Sequence, residues 1–241
     1  MDESLMKEKF QNLSSLVSEI AHQIITPLTN IKMYAELLES NPEVETIKGQ
    51  VDKLVILIDT LVKLSRCECG LIDENLTPSS VPLDTLVSRS VSDVLLKADA
   101  KDISIRAELP EGLTVFCDLR WTAEALFNLL DNAVKYSPRR SSVTVSAAEY
   151  ETFVRIDVSD EGSGIPEEEL TEIWKRFTRG KNTATAQDGV GIGLYLARAI
   201  VTAQGGRAFC KNDPNRNGGA VFSLLLPKEG LNEQTKGGSN G

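Results

Sequence analysis

Histidine is almost missing from this chain: His22 is the one imidazole in 241 residues. Cysteine is sparse too, with Cys67, Cys69, Cys117 and Cys210 scattered along a chain long enough to build its own core. Such thiols do not read as a disulfide framework, and they fit a reducing compartment. Cys67-Glu68-Cys69 lacks the spacing of a zinc knuckle and the sole histidine is far off in sequence, so the cysteines read as incidental thiols. No run approaches the roughly 18 to 20 apolar residues of a bilayer-spanning helix, and Met1-Asp2-Glu3 does not open the basic, then apolar, pattern of a signal peptide. Basic charge is short as well. Against 35 acidic side chains there are 26 basic ones, a net charge of -9. A nucleic-acid groove, which needs clustered cations on phosphates, is thereby disfavoured. The expectation is a soluble, cytoplasmic chain with no nucleic-acid partner.

What is present is ample apolar and charged material, 41% and 25% of residues, enough for one large or two ordinary globular domains. Phe10, Leu13, Val17, Ile20, Ile24, Pro27, Ile31, Tyr34 and Leu38 recur in alternating steps of three and four, which predicts a helix over residues 5–40. Asn41-Pro42 stops it, because proline disfavours helical geometry in the residue before it. Val44, Ile47, Val51, Leu54, Ile58 and Leu61 repeat the alternation over residues 43–66. The pair reads as a helical hairpin over residues 1–66. Leu16, Leu37, Val55, Leu57 and Val62 widen its apolar face beyond a two-helix seam, so a second copy is expected to complete a four-helix bundle.

This periodicity orients His22. With Val17 and Ile24 at the first seam position of their heptads, His22 falls at the sixth, the position farthest from the seam. Thr26 lies one turn on along the same face. Pro27 cannot donate to the Gln23 carbonyl, so a kink or loosening is expected beside the histidine.

Residues 67–80, with Gly70, Asp73, Asn75, Thr77 and Pro78, read as a linker that includes a short strand around Leu71 to Thr77. Beyond it the elements mix. A helix from Leu83 to Leu95, strands at Ile103–Leu109 and Leu113–Cys117, a strongly apolar helix at Thr122–Lys135, and a hairpin at Val143–Ala147 and Phe153–Val158 come first. A helix at Gly193–Ala203 and strands at Gly206–Cys210 and Ala220–Leu226 close the pattern. Helices on one face of a mixed sheet make residues 81–228 an α/β sandwich. The polar, Gly-rich residues 229–241 read as a disordered tail.

Three segments of this second domain carry chemistry. In Asn128-Leu129-Leu130-Asp131-Asn132-Ala133-Val134-Lys135-Tyr136, residues Asn128, Asn132, Lys135 and Tyr136 share one side of a helix. Amide oxygens suit the oxygen shell of Mg2+, and a lysine balances phosphate charge. In Asp160-Glu161-Gly162-Ser163-Gly164-Ile165-Pro166, a carboxylate at a strand end can accept from an exocyclic amine, while Gly162 and Gly164 let a flat ligand approach the backbone. Asp188-Gly189-Val190-Gly191-Ile192-Gly193-Leu194 opens a helix with three alternating glycines, whose N–H groups and dipole can face phosphates. The spacing is not that of a Rossmann turn.

These segments, in this order behind a histidine hairpin, resemble the sensor histidine kinases of bacterial two-component systems over almost the whole chain. Ser18 to Thr29 is similar to the phosphoacceptor box. Asn128 to Pro138 is similar to the N box, Asp160 to Pro166 to the first glycine box, Trp174 to Phe177 with Arg179 to the F box, and Gly189 to Leu194 to the second glycine box. The boxes belong to the ATP-binding fold shared with gyrase-type ATPases and heat-shock protein 90. The resemblance implies ATP and Mg2+ as cofactors, with Asn132 and Asn128 on the metal, Lys135 at phosphate, Tyr136 bordering the nucleotide and Asp160 reading adenine. It implies a lid from about Phe177 to Gly189, and Arg176 or Arg179 directed at the γ-phosphate. The implied reaction is autophosphorylation of His22 and transfer to an aspartate of a response regulator, within a homodimer held by the hairpin. Membrane attachment is implied only through segments absent from this chain, which then forms the cytoplasmic portion of an inner-membrane sensor.

Two positions depart from the commonest family pattern. Gln23 stands where an acidic residue usually follows the histidine, and Ile25 where a basic one is usual. A carboxylate accepts the imidazole proton, whereas an amide only accepts a hydrogen bond. The expectation is either slow autophosphorylation, with the balance tilted towards dephosphorylation of the regulator, or transfer of that proton to water or another carboxylate; in the dephosphorylation the resemblance implies that Thr26 orients water. The alternative is a nucleotide-binding signalling scaffold with weak or no kinase activity. An ATP-driven clamp of the gyrase kind is disfavoured, since Asn128 stands where such ATPases place a glutamate base.

Overall fold

The computed structural model describes residues 3–68, 76–178, 191–213 and 218–230, which fall into two compact units. The first unit is a helical hairpin. Helix α1 spans Glu3–Glu36 and α2 spans Pro42–Glu68. The turn between them uses Asn41 and Pro42 as a start signal rather than a stop. Asn41 accepts the Val44 N–H on its side-chain oxygen at 2.8 Å, and Pro42 occupies the first helical position, where a missing N–H costs nothing.

The face that joins the two helices is one position away from the seam expected for α1. Ser14, Ala21, Leu28 and Ala35, spaced by seven, are its buried residues, and Val44, Val51 and Leu64 are buried on α2. Small side chains let two helices approach closely, so the hairpin closes over alanine and serine. The larger Ile20, Ile24, Ile31, Tyr34 and Leu38 stay between 43% and 63% exposed, as do Ile47, Leu54 and Leu61 on α2.

The second unit begins with strand β1 (Ser79–Pro82), followed by α3 (Leu83–Ser92), α4 (Leu95–Asp99), β2 (Ser104–Glu108), β3 (Thr114–Cys117) and α5 (Leu119–Tyr136). Then come β4 (Ser142–Glu149), β5 (Phe153–Ser159), short 3-10 turns at Glu167–Glu169 and Glu172–Trp174, α6 (Gly193–Ala203), β6 (Arg207–Asn212) and β7 (Ala220–Pro227). Five strands form one sheet in the order β2-β4-β5-β7-β6, parallel only between β2 and β4, while β1 and β3 pair antiparallel as a separate ribbon. Helices α3, α5 and α6 pack together, and α5 and α6 contact the sheet. The core joins Leu126, Leu129 and Leu130 of α5 and Ile200 of α6 to Ile156, Leu224 and Leu226 of the sheet.

Two elements differ from expectation. The helix foreseen from Leu83 to Leu95 divides into α3 and α4, because Val94, fully buried, turns inward with its N–H on the Val91 carbonyl at 3.0 Å. Leu76 and Thr77, the end of the strand foreseen around residues 71–77, are not in a strand, and the first strand of the unit is Ser79–Pro82; residues 69–75 lie outside the described residues. So do residues 179–190, the larger part of the expected lid, and 231–241, most of the expected tail. Among the described residues, no helix is long and apolar enough to cross a membrane.

Candidate functional site

The hairpin presents His22, Gln23 and Thr26 on exposed positions of α1. Helix α1 continues through Pro27. Proline deprives the Gln23 carbonyl of its helical donor. Hydroxyls support the backbone on either side: Thr26 Oγ1 donates to the His22 carbonyl at 3.1 Å, and Thr29 Oγ1 to the Ile25 carbonyl at 2.9 Å. A hydroxyl that donates still carries an acceptor oxygen, and that of Thr26 stands one turn from the imidazole.

In the second unit α5 carries two faces. Ala125, Leu126, Leu129, Leu130 and Ala133 are fully buried, which turns Asn128, Asn132 and Lys135 to the half-buried flank. Asn128 Nδ2 donates to the Glu124 carbonyl at 2.8 Å. That bond turns the amide oxygen towards Gly193: a methyl group added there would stand 2.7 Å from Asn128 Oδ1. Helix α6 starts at this contact, and its N-cap residue, Ile192, makes no side-chain capping hydrogen bond. The N box and the second glycine box therefore meet at an oxygen donor beside a helix start, an arrangement suited to a cation and the phosphates it binds.

Gly191 and Gly162 are as constrained. Gly191 has φ +75°, and a Cβ on it would lie 2.7 Å from the Thr178 carbonyl oxygen, so the second glycine box abuts the end of the F box. Phe177 itself takes φ +59° and is 65% exposed, and the Arg176 guanidinium lies 5.4 Å from the Tyr195 ring. Gly162 presses on the last turn of α5, where a Cβ would meet the Tyr136 carbonyl oxygen at 3.0 Å. Asp160 is buried at 4% exposure, its Oδ1 accepting the Gly162 N–H at 2.8 Å and the Ala220 N–H at 3.2 Å. Lys135 Nζ stands 5.3 Å from the Tyr136 ring, and Leu194 continues α6 from Gly193. Asn128, Gly193, Gly191, Phe177 and Arg176 thus gather at the start of α6, while Lys135, Tyr136, Gly162 and Asp160 gather at the end of α5, the helix that carries residues of both groups. Arg179 and Gly189 lie outside the described residues.

Four residues that hold this set together were not singled out in the sequence. Asn212 clasps the first glycine box, accepting from Ile165 N–H and donating to its carbonyl, both at 2.7 Å, with Gly164 against it. Asp118 caps α5, accepting from Trp121 N–H at 3.0 Å and from the Thr77 N–H and hydroxyl at 3.0 and 3.1 Å. Gln204, at the end of α6, accepts the Asp118 N–H at 2.7 Å. Lys101 gathers three carbonyls at the far end of α5, and burial, with the Arg139 guanidinium nearby, pushes its ammonium below the usual lysine range. Only Asp118 carried a sequence signal, as an acidic residue before an apolar helical run. Burial pushes the Cys117 thiol up to about 11, and no group of three or more His, Cys, Asp or Glu is placed to hold a metal among the described residues.

Comparison with known proteins bears on both units. Residues 12–70 match the His Kinase A (phospho-acceptor) domain, and residues 117–230 the histidine kinase-, DNA gyrase B- and HSP90-like ATPase family. The sensor-like histidine kinase SenX3 of Mycobacterium tuberculosis is 32% identical over 220 residues, covering 88% of this chain and 53% of that protein. The signal transduction histidine-protein kinase/phosphatase MprB of Mycolicibacterium smegmatis is 32% identical over 239 residues, covering 92% and 47%. The chain spans about half the length of these relatives. Among solved structures, full-length ShkA in complex with AMPPNP matches with a TM-score of 0.73 at 22% identity, over 88% of this chain and 45% of that one. The catalytic domain of histidine kinase ThkA matches with a TM-score of 0.55 at 27% identity, over 63% and 96%. A phospho-acceptor hairpin followed by an ATP-binding sheet is the make-up of a histidine kinase catalytic core, and it is to the sensor histidine kinases that this chain belongs.

Proposed function

We propose that this chain transfers the γ-phosphoryl group of ATP to His22 and passes it on to an aspartate of a response regulator. The observation that carries this reading is that α5 holds Gly193 against Asn128 and Gly162, with Asp160, against its Tyr136 carbonyl, in a chain whose single histidine is exposed on a separate hairpin. An imidazole nitrogen attacks phosphorus in line as the bond to the departing ADP oxygen breaks, and the exposed imidazole then gives its N–H proton to solvent water. Positioning and charge stabilisation do most of the work in such a transfer.

Asp160, held by two backbone donors, suits the exocyclic amine of adenine. Tyr136 borders the base, and Lys135 and the N–H groups at the start of α6 serve the phosphates. Arg176 or Arg179 supplies charge at the γ-phosphate. The Asn128 oxygen fits Mg2+, since its amide is pinned with the oxygen turned to the α6 start, and Asn132 shares its flank of α5. Bound there, Mg2+ would neutralise charge developing on the phosphates.

Gln23 can orient the imidazole but cannot take its proton, which favours a slow kinase and leaves Thr26 free to serve in phosphatase action. The exposed isoleucine and leucine faces of α1 and α2 support a homodimer through the hairpin. The sensor relatives, about twice as long, support a larger parent protein held at the inner membrane with this portion in the cytoplasm.

Incubation with γ-labelled ATP tests the reading. Acid-labile, alkali-stable label is expected on the parent, none on His22→Ala, and faster labelling on Gln23→Glu. Nucleotide binding without label on any of them favours the signalling scaffold instead.

A further inference from the structure

The end of α5 is held in an unusual way. The last carbonyls of a helix have no intrahelical donor, and a cation near them is favoured by the helix dipole. Here one ammonium takes three: Lys101 Nζ donates to the carbonyls of Val134, Lys135 and Ser137 at 2.9, 2.8 and 2.9 Å. The Lys101 carbonyl in turn accepts the Arg140 N–H at 3.1 Å, so a single residue binds both the last turn and the loop that leaves it. Lys101 sits in a short turn between α4 and β2, closed by Ile103 N–H on the Ala98 carbonyl at 2.9 Å. Gly162 meets the same turn of α5 at the Tyr136 carbonyl, and its own N–H is held by the Asp160 carboxylate. The peptide planes that carry Lys135 and Tyr136 thus have Lys101 fixing their carbonyls and the adenine-side glycine box as a neighbour.

We propose that Lys101 is a positioning residue for the nucleotide site, setting the backbone of Lys135 so that the lysine reaches phosphate. The inference rests on the nucleotide reading above. It assigns Lys101 no contact with ATP. Removing the ammonium takes a donor from three carbonyls at once, and the last turn of a helix is where fraying starts. Lys135 would then sample positions away from the phosphates, and affinity falls through lost preorganisation.

The test is titration calorimetry of the full chain with Mg2+ and AMPPNP, alongside the melting temperature without nucleotide. Lys101→Met is expected to raise the Kd about tenfold, the order of one charge-assisted hydrogen bond. Lys101→Arg, which keeps charge and donors, is expected to restore it to within about threefold. Because Lys101 acts through Lys135, Lys101→Met should add little once Lys135→Ala has been made. An unchanged Kd for Lys101→Met, with Lys135→Ala weakened, overturns the inference and leaves the nucleotide reading standing. Equal losses with and without Lys135 also overturn it, since they mark a general loss of stability. Should Lys135→Ala bind as tightly as the parent, Lys135 is not at phosphate and the proposed route falls, while labelling of His22 judges the kinase reading separately. If Lys101→Met does not fold, Lys101→Gln is measured under the same criteria.

Discussion

Asp118 shows how a single side chain serves two parts of the ATP-binding unit. Its carboxylate caps α5 through Trp121 N–H and ties down Thr77, just ahead of β1, by a backbone and a hydroxyl donor. Burial works against its charge, and the donors from Thr77 and Trp121 outweigh burial, so the carboxyl lies below its ordinary range. A depressed carboxyl contributes stability above its unfolded value, about 4, and loses it as pH falls through the folded value. Asp118→Asn should therefore cost about 1 kcal/mol at neutral pH, the order of a lost helix cap. The gap to the parent should close on acidification. Denaturant titrations from neutrality down to about pH 3 check this, and a gap that stays constant means that the cap owes nothing to ionisation.

At the scale of elements, the hairpin separates two apolar faces that the heptad pattern does not distinguish. Ala21, Leu28 and Ala35 are spent within the hairpin, while Ile24, Ile31, Leu54 and Leu61 are left at 43% to 53% exposure. An apolar stripe of that length on paired helices favours burial against another such surface. Replacing Ile31 and Leu54 by Asp should convert a dimer to a monomer by sedimentation while leaving the helical circular dichroism intact. A dimer that survives the pair of charges would show that association uses another surface. Helix α5 likewise divides its sides, with Leu126, Leu129 and Leu130 in the core and Asn128, Asn132 and Lys135 on the flank that meets the glycine boxes.

For the molecule as a whole, the proposed reaction separates acceptor from donor, His22 on one compact unit and the nucleotide residues on the other. Division of labour is the expected behaviour. His22→Ala should bind MgATP with the parent's affinity yet take no label, whereas Asn132→Ala should lose label because it loses nucleotide. Calorimetry and labelling on the same preparations check both, and a His22→Ala chain with weakened nucleotide binding would contradict the separation. Mixed dimers of the two variants then report the route, since label returns only if one subunit phosphorylates its partner.

Periodicity and local chemistry made much of this legible in the linear chain. Alternating threes and fours marked the hairpin and turned His22 outward, period-two stretches marked β4 and β5, and glycines beside Asp160 and before α6 marked the segments proposed to hold nucleotide. These features are local, because side-chain direction repeats within a few residues on a helix or strand. Contacts between distant segments were decided by tertiary structure. Lys101 reaches carbonyls 33 to 36 residues away, Asn212 grips Ile165 across 47, and Thr77 meets Asp118 across 41. Nothing in the neighbourhood of a lysine or an asparagine states which orphaned carbonyl or N–H it will satisfy; only the folded sheet brings those partners within hydrogen-bond reach. The same holds for α1, where the heptad marked an apolar face, and the small size of Ala21 and Ala35, acting through close helix approach, decided which edge of that face closes the hairpin.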